Sequence, residues 1–313
     1  MLNADNKILV TGAYGFIGSA LVDRLMNKEG ARNLSLAVRL KRKDERLNTF
    51  SLGAFDSQTD WSEAIKDCKV VVHTAGRAHF KKQSVADDYD ALLEEDYASS
   101  IQLANSAAQA GVSRFIYMSS VLVNGSESHK PFTESDIASP DSPAGRVKLR
   151  IERALLDIGR QSGMDVVIIR AALVYGKDVP GNFGNLVRLV GKGIPLPLGA
   201  INNKRSLIGI DNLVDLIVTC IDHPAAGNQI FLAGDGEDLS TSELLKGLAK
   251  AMGKRSYLLP ISGQLIWLAA SLLGKKVLAE KLLSSQQVDI TKARNMLGWR
   301  PPLSVEQGLG KCF

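Results

Sequence analysis

Three glycines near the amino terminus have the spacing that indicates chemistry most directly. Gly12, Gly15 and Gly18 follow a short apolar run at residues 8–10 and precede a segment whose apolar residues recur at helical spacing. After a strand, the first glycine suits a tight turn, the second lets the main chain approach a pyrophosphate, and the third lets the helix pack closely on the strand. The free N–H groups at the helix start would then face the phosphates. The pattern predicts a dinucleotide site, and its remaining loop residues are Tyr14, Phe16 and Ile17.

Two other interpretations of the glycine loop compete with a dinucleotide site. An ordinary strand–turn–helix connection with three accidental glycines is the structural one, and the flanking strand and amphipathic helix count against it. A P-loop requires Gly-Lys-Ser or Gly-Lys-Thr at the end of the loop, and the sequence has neither there.

Basic residues after the second predicted strand indicate which dinucleotide binds. A site for NAD usually has an acidic residue at the end of this strand, whereas here the strand ends in Arg39. A guanidinium can pair with the 2′-phosphate of NADP and stack on adenine. We therefore expect NADP or NAD, with a preference for NADP. The adjacent Lys41, Arg42 and Lys43 indicate a solvated loop first, a contact to cofactor phosphate second and nucleic acid last, because no aromatic residues interleave with them.

A third predicted strand leads into small residues that suit a cofactor. Thr74, Ala75 and Gly76 follow its apolar run and would let the backbone pass close to a dinucleotide. Two histidines nearby, His73 and His79, invite a catalytic interpretation. A structural role, in the core or in a loop, is the expectation we favour for both.

Strand and helix patterns alternate along the chain, which predicts a Rossmann-type, doubly wound α/β fold with a parallel sheet covered on both faces. After residues 8–10, the predicted strands are 34–39, 70–74, 114–119, 166–169 and 229–233. The predicted helices that separate them lie near 61–67, 92–110, 145–161 and 212–221. Because such sheets bind ligands at the carboxyl ends of their strands, the chemistry is expected just after Val10, Val72, Met118 and Ile169.

The pattern loosens after Tyr175 into loops and short helices, which predicts a smaller mixed α/β lobe. We expect residues 1–175 to form the dinucleotide-binding domain, with residues 205–235 returning to it. Residues 176–204 and 236–313 would form the substrate-binding lobe.

Bulk composition is that of a globular protein able to bury a substantial core, as one large or two intertwined domains. The chain has 313 residues, 45% hydrophobic and 23% charged, with a net charge of +5 from scattered basic residues. Three distant cysteines predict neither a disulfide framework nor a zinc site, and we expect no metal. The amino-terminal residues lack the apolar core of a signal peptide, which together with the cysteine usage predicts a cytoplasmic protein.

The most apolar segment, residues 265–273, is far shorter than the ~20 residues needed to cross a bilayer. Docking on a membrane surface is one interpretation of it, but we favour a packed helix. Residues 261–283 would then form a structural wall of the smaller lobe, and no membrane insertion is expected.

Six motifs give the chain a family resemblance over essentially its whole length. They are TGAYGFIG, VVHTAGRAH, IYMSSVLVNG, RAALVYG followed by GNF, PLPLGAINNKRSLIGIDNLVD and DITKARNMLGWRPPLS. The chain resembles the extended short-chain dehydrogenase/reductase family, and within it the nucleotide-sugar 4-epimerases and 4-reductases. The glycine loop resembles that of the superfamily as a whole, while SSVLVNG and the carboxyl-terminal motifs indicate its sugar-nucleotide branch.

The resemblance implies a Ser, a Tyr and a Lys beside the nicotinamide. In the family, the Tyr exchanges a proton with the sugar hydroxyl while a hydride moves between the sugar carbon and the cofactor. The Lys lowers the pKa of the Tyr and holds the nicotinamide ribose, and the Ser hydrogen-bonds the reacting oxygen. By position, Ser120 and Lys148 take the Ser and Lys places, whereas Ala144 stands where the family has Tyr. Because a positioned acid–base group is worth about 10²–10⁴ in rate, impaired turnover is expected.

Other positions also depart from the family's pattern. Ala54 falls where an acidic residue normally binds adenine in the family. We expect the neighbouring Phe55 to contact the cofactor. Glu95 falls where an Asn is common. Several departures together favour divergence over an engineered change. Ser126 and Glu134 are candidates to replace the missing Tyr, on proximity in sequence alone.

The resemblance also implies substrate contacts in the smaller lobe. By analogy, Asn182 contacts the pyrophosphate or uridine portion, and Arg205 clamps the diphosphate, a role that suits its planar set of donors. A surface ion pair is the alternative for Arg205. Phe183 would pack against uracil, with a core aromatic as an equal alternative.

Taken with the residues, the resemblance implies an NAD(P)-dependent enzyme acting at C4 of a UDP-linked sugar. It would be a 4-epimerase or a 4-keto-sugar reductase, two reactions that use the same residues, and a homodimer formed through paired helices. The alternative from another class is a binding or regulatory protein that has lost the chemistry. Ala144 favours it, as does Val147 where the family usually has Ser, whereas Ser120, Lys148 and Arg205 oppose it. An unrelated nucleotide-binding scaffold rests on fold analogy alone.

Overall fold

Seven parallel strands form the central sheet of the computed structural model, which describes residues 7–29, 33–40, 48–76 and 86–313. In chain order the strands are β1 (Lys7–Thr11), β2 (Leu34–Val38), β3 (Asn48–Ser51), β4 (Cys68–His73), β5 (Arg114–Ser120), β6 (Asp165–Ala171), β7 (Leu173–Tyr175), β8 (Arg205–Gly209), β9 (Gln229–Ala233) and β10 (Asp238–Leu239). The central sheet has the order β3-β2-β1-β4-β5-β6-β9, and β10, β8 and β7 form a second sheet. The predicted parallel sheet is confirmed.

Helices cover both faces of the central sheet, as the alternating pattern predicts. They are α1 (Phe16–Glu29), α2 (Ser62–Ile65), α3 (Ala86–Gln109), α4 (Pro143–Ser162), α5 (Asn182–Gly191), α6 (Ile210–Asp222), α7 (Thr241–Ala251), α8 (Gly263–Leu272), α9 (Lys276–Leu283), α10 (Thr291–Leu297) and α11 (Val305–Gly310). Helices α1 and α6 pack into one apolar cluster, whereas α2, α3 and α4 pack into another on the opposite face. The fold is therefore the expected doubly wound α/β arrangement.

Burial on both faces explains why the central strands have continuous apolar sequences. Every residue of β2 is buried, and so is every residue of β1 after Lys7. Val10 pairs in register with Leu36 of β2 on one side and with Val72 of β4 on the other. The chain order reverses between β1 and β4, so the crevice typical of such a switch point lies at the carboxyl ends of these two strands.

The smaller lobe is built on a mixed sheet, in which β8 is parallel to β7 and antiparallel to β10. Within residues 205–235, α6 packs against the central sheet and β9 pairs in it, whereas β8 pairs in the small sheet. Strand β7 also lies there, although it precedes residue 176. The chain leaves the central sheet at Ala172, whose N–H donates to the Ala233 carbonyl (2.9 Å) just before β7 begins. The two lobes therefore interleave along the chain.

Short polar segments and helix caps account for the differences between predicted and observed elements. Strand β3 has the sequence NTFS and lies at the sheet edge, so it lacks the apolar run that identifies the other central strands. Helix α4 begins at Pro143 rather than Gly145, because the Ser142 hydroxyl caps it by accepting from the Gly145 N–H (3.1 Å). Helix α3 begins at Ala86 rather than at residue 92.

Helix α8 differs from the packed helix expected for the apolar segment. Helix α8 is described throughout, and none of its side chains is buried. Ile266 is partly buried and packs against the core of the smaller lobe. Leu265, Leu268 and Leu272 are 59%, 52% and 82% exposed. The expected wall is therefore wrong for this helix. Across the described ranges, no helix is long and apolar enough to cross a membrane.

Candidate active site

The loop after β1 packs directly against the loop after β4. Gly12 has φ +67°, and a Cβ at this residue would lie 2.7 Å from the Ala75 nitrogen. A Cβ at Gly18 would overlap the Gly12 carbonyl oxygen. The Thr74 hydroxyl donates to the Thr11 carbonyl (2.6 Å) and ties the two loops together. Side chains at Gly12 and Gly18 are therefore excluded by packing within the protein.

The start of α1 offers main-chain groups toward this crevice. The Gly15 N–H donates to the Gly12 carbonyl (2.8 Å), and the first amides of α1 have no partner inside the helix. The Phe16 ring is directed away from the loop, because a Cβ at Gly176 would lie 3.2 Å from its Cζ. Tyr14 and Ile17 pack against the apolar cluster beneath α1. This arrangement fits a dinucleotide, whose phosphates would be held by amides and by the positive end of the helix.

Arg39 and Phe55 follow β2 and β3 at the carboxyl edge of the sheet. Arg39 is exposed, and its carbonyl accepts from the Ser51 hydroxyl (3.2 Å). The half-buried Phe55 ring lies 4.9 Å from the Trp61 ring, centroid to centroid. Both residues are on the side of the crevice where the cofactor's adenine half is expected. The basic run at residues 41–43 and the histidine at residue 79 lie outside the described residues.

Ser120 is the last residue of β5, and Lys148 of α4 contacts the same strand. The Lys148 ammonium donates to the Met118 carbonyl (3.0 Å) and to the Tyr117 hydroxyl (3.3 Å). The Ser120 hydroxyl accepts from the Leu122 N–H (3.3 Å) in the turn that follows β5. The start of α4 lies against this turn, because a Cβ at Gly145 would overlap the Leu122 carbonyl oxygen. A glycine thus brings the helix that carries Lys148 to the strand that carries Ser120.

Charges around Lys148 oppose the effect of its burial. Burial lowers the pKa of the Lys148 ammonium, while the carboxylates of Asp96 and Glu152 raise it. Burial, followed by the same two carboxylates, raises the pKa of Tyr117 well above its ordinary value. Tyr117 therefore stays a neutral hydroxyl that holds the ammonium in place.

Asp96 is a site residue that the sequence analysis missed. A Cβ at Gly76 would lie 4.0 Å from its Oδ2 atom, and its charge acts on Lys148. Glu95, the residue matched to the family's Asn, is exposed on the neighbouring face of α3. The helical spacing of α3 could have identified Asp96, because it precedes the buried Ser99 and Ser100 by about one turn and so lies on the same side of the helix. The hydroxyls of both serines donate to the Asp96 carbonyl.

His73 is buried and connects the two halves of the site. Its Nδ1 lies 2.6 Å from the Thr11 hydroxyl and its Nε2 lies 3.0 Å from the Ser100 hydroxyl. The imidazole stacks on the Tyr117 ring with centroids 5.8 Å apart. Burial, and secondarily the charge of Lys148, lowers the pKa of His73 to about 3. The structural interpretation of His73 is confirmed.

A buried ion pair lies beneath the site and was also not predicted. The Arg170 guanidinium of β6 donates to both Glu152 oxygens, at 2.7 Å from Nη2 and 3.1 Å from Nε. The Ser119 hydroxyl donates to Glu152 (2.5 Å), and Arg170 also donates to Asn124 (3.0 Å). The sequence contains a signal for this network, since Glu152 lies beside Ile151 on the apolar side of α4. The network fixes β5, β6 and α4 relative to one another.

Ala144 occupies the first turn of α4 and is half-buried against the apolar cluster of that face. Ser126 and Glu134, the candidates for an acid–base role in place of residue 144, have other hydrogen-bond partners. The Ser126 hydroxyl donates to Asp141 (2.6 Å), and a Glu134 oxygen accepts from the Leu232 N–H of β9 (2.8 Å). These bonds give Ser126 and Glu134 structural partners at the loop before α4 and at the sheet edge.

The expected substrate residues lie in the smaller lobe. Asn182 is the first residue of α5. Phe183 is 1% exposed and stacks on Tyr175 with ring centroids 5.6 Å apart, which are the contacts of a core aromatic. The Arg205 guanidinium donates to the Lys281 carbonyl (2.5 Å) rather than to a carboxylate, and burial lowers its pKa.

Comparison with known proteins gives relatives that span nearly the whole chain. The chain is 42% identical to UDP-glucose 4-epimerase of Vibrio cholerae, over 98% of this chain and 96% of that protein. It is 24% identical to dTDP-4-dehydro-6-deoxyglucose reductase of Escherichia coli, over 98% of this chain and 96% of that protein.

Solved structures share the fold. The structure of UDP-glucuronic acid 4-epimerase from Bacillus cereus, in complex with UDP-glucuronic acid and NAD, matches with a TM-score of 0.78 at 21% identity. The match covers 98% of this chain and 97% of that one. The model of the NAD dependent epimerase/dehydratase family matches residues 8–234, which include every central strand after Lys7. The chain belongs to the NAD dependent epimerase/dehydratase family.

Proposed function

We propose that the chain is an NAD(P)-dependent enzyme acting at C4 of a UDP-linked sugar, either as a 4-epimerase or as a 4-keto-sugar reductase. The observation that carries the proposal is the 42% identity to a UDP-glucose 4-epimerase over 98% of the chain. The placement of Ser120 at the carboxyl end of β5, with Lys148 bonded to the Met118 carbonyl of the same strand, supports it. The relative named as a reductase supports the second reaction.

Each residue of the site has a role in this proposal. The dinucleotide supplies hydride transfer when bound. The amides at the start of α1 hold its phosphates, and Lys148 holds the nicotinamide ribose. Ser120 hydrogen-bonds the reacting oxygen of the sugar. Asn182 and Arg205 contact the diphosphate and the uridine portion of the substrate.

In this proposal, proton transfer to and from the sugar hydroxyl limits the rate. Ala144 has no proton to give or take, and Tyr117 is 1% exposed and engaged with Lys148. We therefore propose slow turnover compared with relatives that carry the Tyr. Ala144 also favours a second candidate function, a protein that binds the dinucleotide and the nucleotide sugar without reaction.

Three further features belong to the proposal. We propose NADP over NAD, because Arg39 takes the place of an acidic residue after β2. We propose a cytoplasmic location, which the three free, buried cysteines support. We also propose a homodimer through paired helices.

Product analysis separates the candidates. The purified chain is incubated with UDP-glucose and UDP-galactose without a reductant, and with a UDP-4-keto sugar plus NADPH or NADH. An epimerase interconverts the first two, whereas a reductase consumes one reduced cofactor per product. Calorimetric binding of NADP and NAD without turnover supports the binding protein. Failure to bind any nicotinamide nucleotide overturns both functions.

A further inference from the structure

Helix α8 exposes an apolar surface at the edge of the smaller lobe. We define the α8 surface as Leu265, Leu268, Leu272 and Leu273, which are 59%, 52%, 82% and 72% exposed. The first three recur at helical spacing and share one side of the helix. Ile266, which packs against the core of the smaller lobe, lies on another side. Exposed apolar patches of this kind mark interaction sites rather than ordinary surface.

Basic residues flank the α8 surface. Residues 253–285 contain five Lys or Arg and one acidic residue, so this segment holds four of the five net positive charges of the chain. Lys275 and Lys276 follow the leucines after one glycine and are exposed. Lys276 lies over the Trp267 ring, 5.3 Å from its centroid, and pairs with Glu280 at 3.7 Å.

We propose that the α8 surface docks on the headgroup region of an anionic lipid bilayer. The leucines would enter the boundary between headgroups and acyl chains, and Lys275 and Lys276 would lie at the level of the lipid phosphates. Trp267 is 40% exposed beside them, and indole rings prefer this interface. The helix lies on the membrane and does not cross it.

Charge selects a lipid surface over a second copy of the chain. A symmetric contact through the α8 surface would bring two like-charged segments together, which disfavours association. An anionic bilayer satisfies both the leucines and the lysines.

Vesicle binding tests this surface. Full-length protein is sedimented with vesicles of phosphatidylcholine containing phosphatidylglycerol, and with vesicles of phosphatidylcholine alone. We expect binding to the anionic vesicles that weakens as salt is raised. Leu268→Glu should weaken it at least ~10-fold, since a buried leucine is lost. Lys275→Gln combined with Lys276→Gln should weaken it about 25-fold, at about 5-fold per lysine.

Tryptophan emission gives a local readout. Trp61 and Trp299 are 1% and 4% exposed, whereas Trp267 borders the α8 surface. Binding should shift the emission to the blue, and Trp267→Phe should abolish the shift while sedimentation persists. Ile137→Glu is the matched control, because Ile137 is 91% exposed in the loop before α4. It should leave vesicle binding unchanged.

Two results would overturn the proposal. One is equal, negligible binding to both kinds of vesicle by protein whose circular dichroism shows it folded. The other is self-association that Leu268→Glu abolishes, in a protein that does not bind vesicles. That result would assign the α8 surface to contacts between copies of the chain.

Discussion

The starts of α1 and α4 meet the same packing requirement but serve the site differently. At each, a glycine lets the helix lie against a loop carbonyl, Gly18 against Gly12 and Gly145 against Leu122. The α1 start offers main-chain amides, which remain whatever side chains surround them. Under the proposed function, the α4 start would need a phenol for proton transfer, and residue 144 is an alanine. Under the proposed function, recognition by main-chain amides does not depend on side-chain identity, whereas proton transfer at the α4 start does.

The largest expected effect is on turnover, when a phenol is introduced at the start of α4. We expect Ala144→Tyr to raise turnover by about 10²–10⁴, because it supplies a positioned acid–base group one turn before Lys148. Steady-state rates on UDP-sugars and on a UDP-4-keto sugar measure the gain. Ala144→Phe adds the ring without the hydroxyl and should give no gain. Equal rates for both variants would show that the missing phenol does not limit the reaction.

Adding a methyl group where Gly18 of α1 contacts the Gly12 carbonyl should disrupt the packing at the start of α1. Gly18→Ala would place a methyl group on the Gly12 carbonyl, and we expect a loss of about 3 kcal/mol in the free energy of unfolding, together with weakened dinucleotide binding. Urea denaturation and calorimetry measure both quantities. Gly310→Ala is the control, since no atom lies within 4 Å of its added Cβ. A stable, binding-competent Gly18→Ala protein would contradict the close contact.

Acid should weaken the buried contacts of His73, which joins Thr11 of β1 to Ser100 of α3. Its pKa is lowered from 6.5 to about 3 on folding, so the unfolded chain takes up the proton first as the pH falls. Stability is therefore full above about pH 6.5 and declines below it, by about 2 kcal/mol at about pH 5.

The pH dependence of the unfolding free energy in His73→Asn checks this sign. The variant should lack that decline, whatever its stability at neutral pH. His129→Asn removes an exposed histidine and should retain it. Parallel curves for His73→Asn and the unchanged chain would show that the imidazole is not buried as a neutral group.

The smallest effect concerns the choice of dinucleotide. We expect Arg39→Asp to lower the ratio of NADP to NAD affinity by about tenfold, because a charge-assisted hydrogen bond to the 2′-phosphate is lost. Calorimetric titration with each dinucleotide measures it. Lys69→Asp makes the same charge change at the amino end of β4 and should leave the ratio unaltered. An unchanged ratio in Arg39→Asp removes Arg39 from the site.

The parts of the fold set by local pattern were predictable. The central strands are buried on both faces, so their apolar runs identify them, and the glycine loop falls between β1 and α1 as expected. The smaller mixed α/β lobe was predicted, but strand β3 and the individual strands of the small sheet were not, because short strands such as NTFS and the two residues of β10 have no recognisable period. The exposed leucines of α8 were misjudged, since an apolar helix has the same sequence whether or not a partner covers it.

The sequence by itself determined the parallel sheet, the glycine loop and the identity of Ser120, Lys148 and Ala144, because residue order and spacing encode them. Tertiary structure alone decided that Tyr117 and Asp96 surround Lys148 and that Arg170 pairs with Glu152. These groups come from separate strands and helices, and their electrostatic interaction depends on distance and burial rather than on separation along the chain.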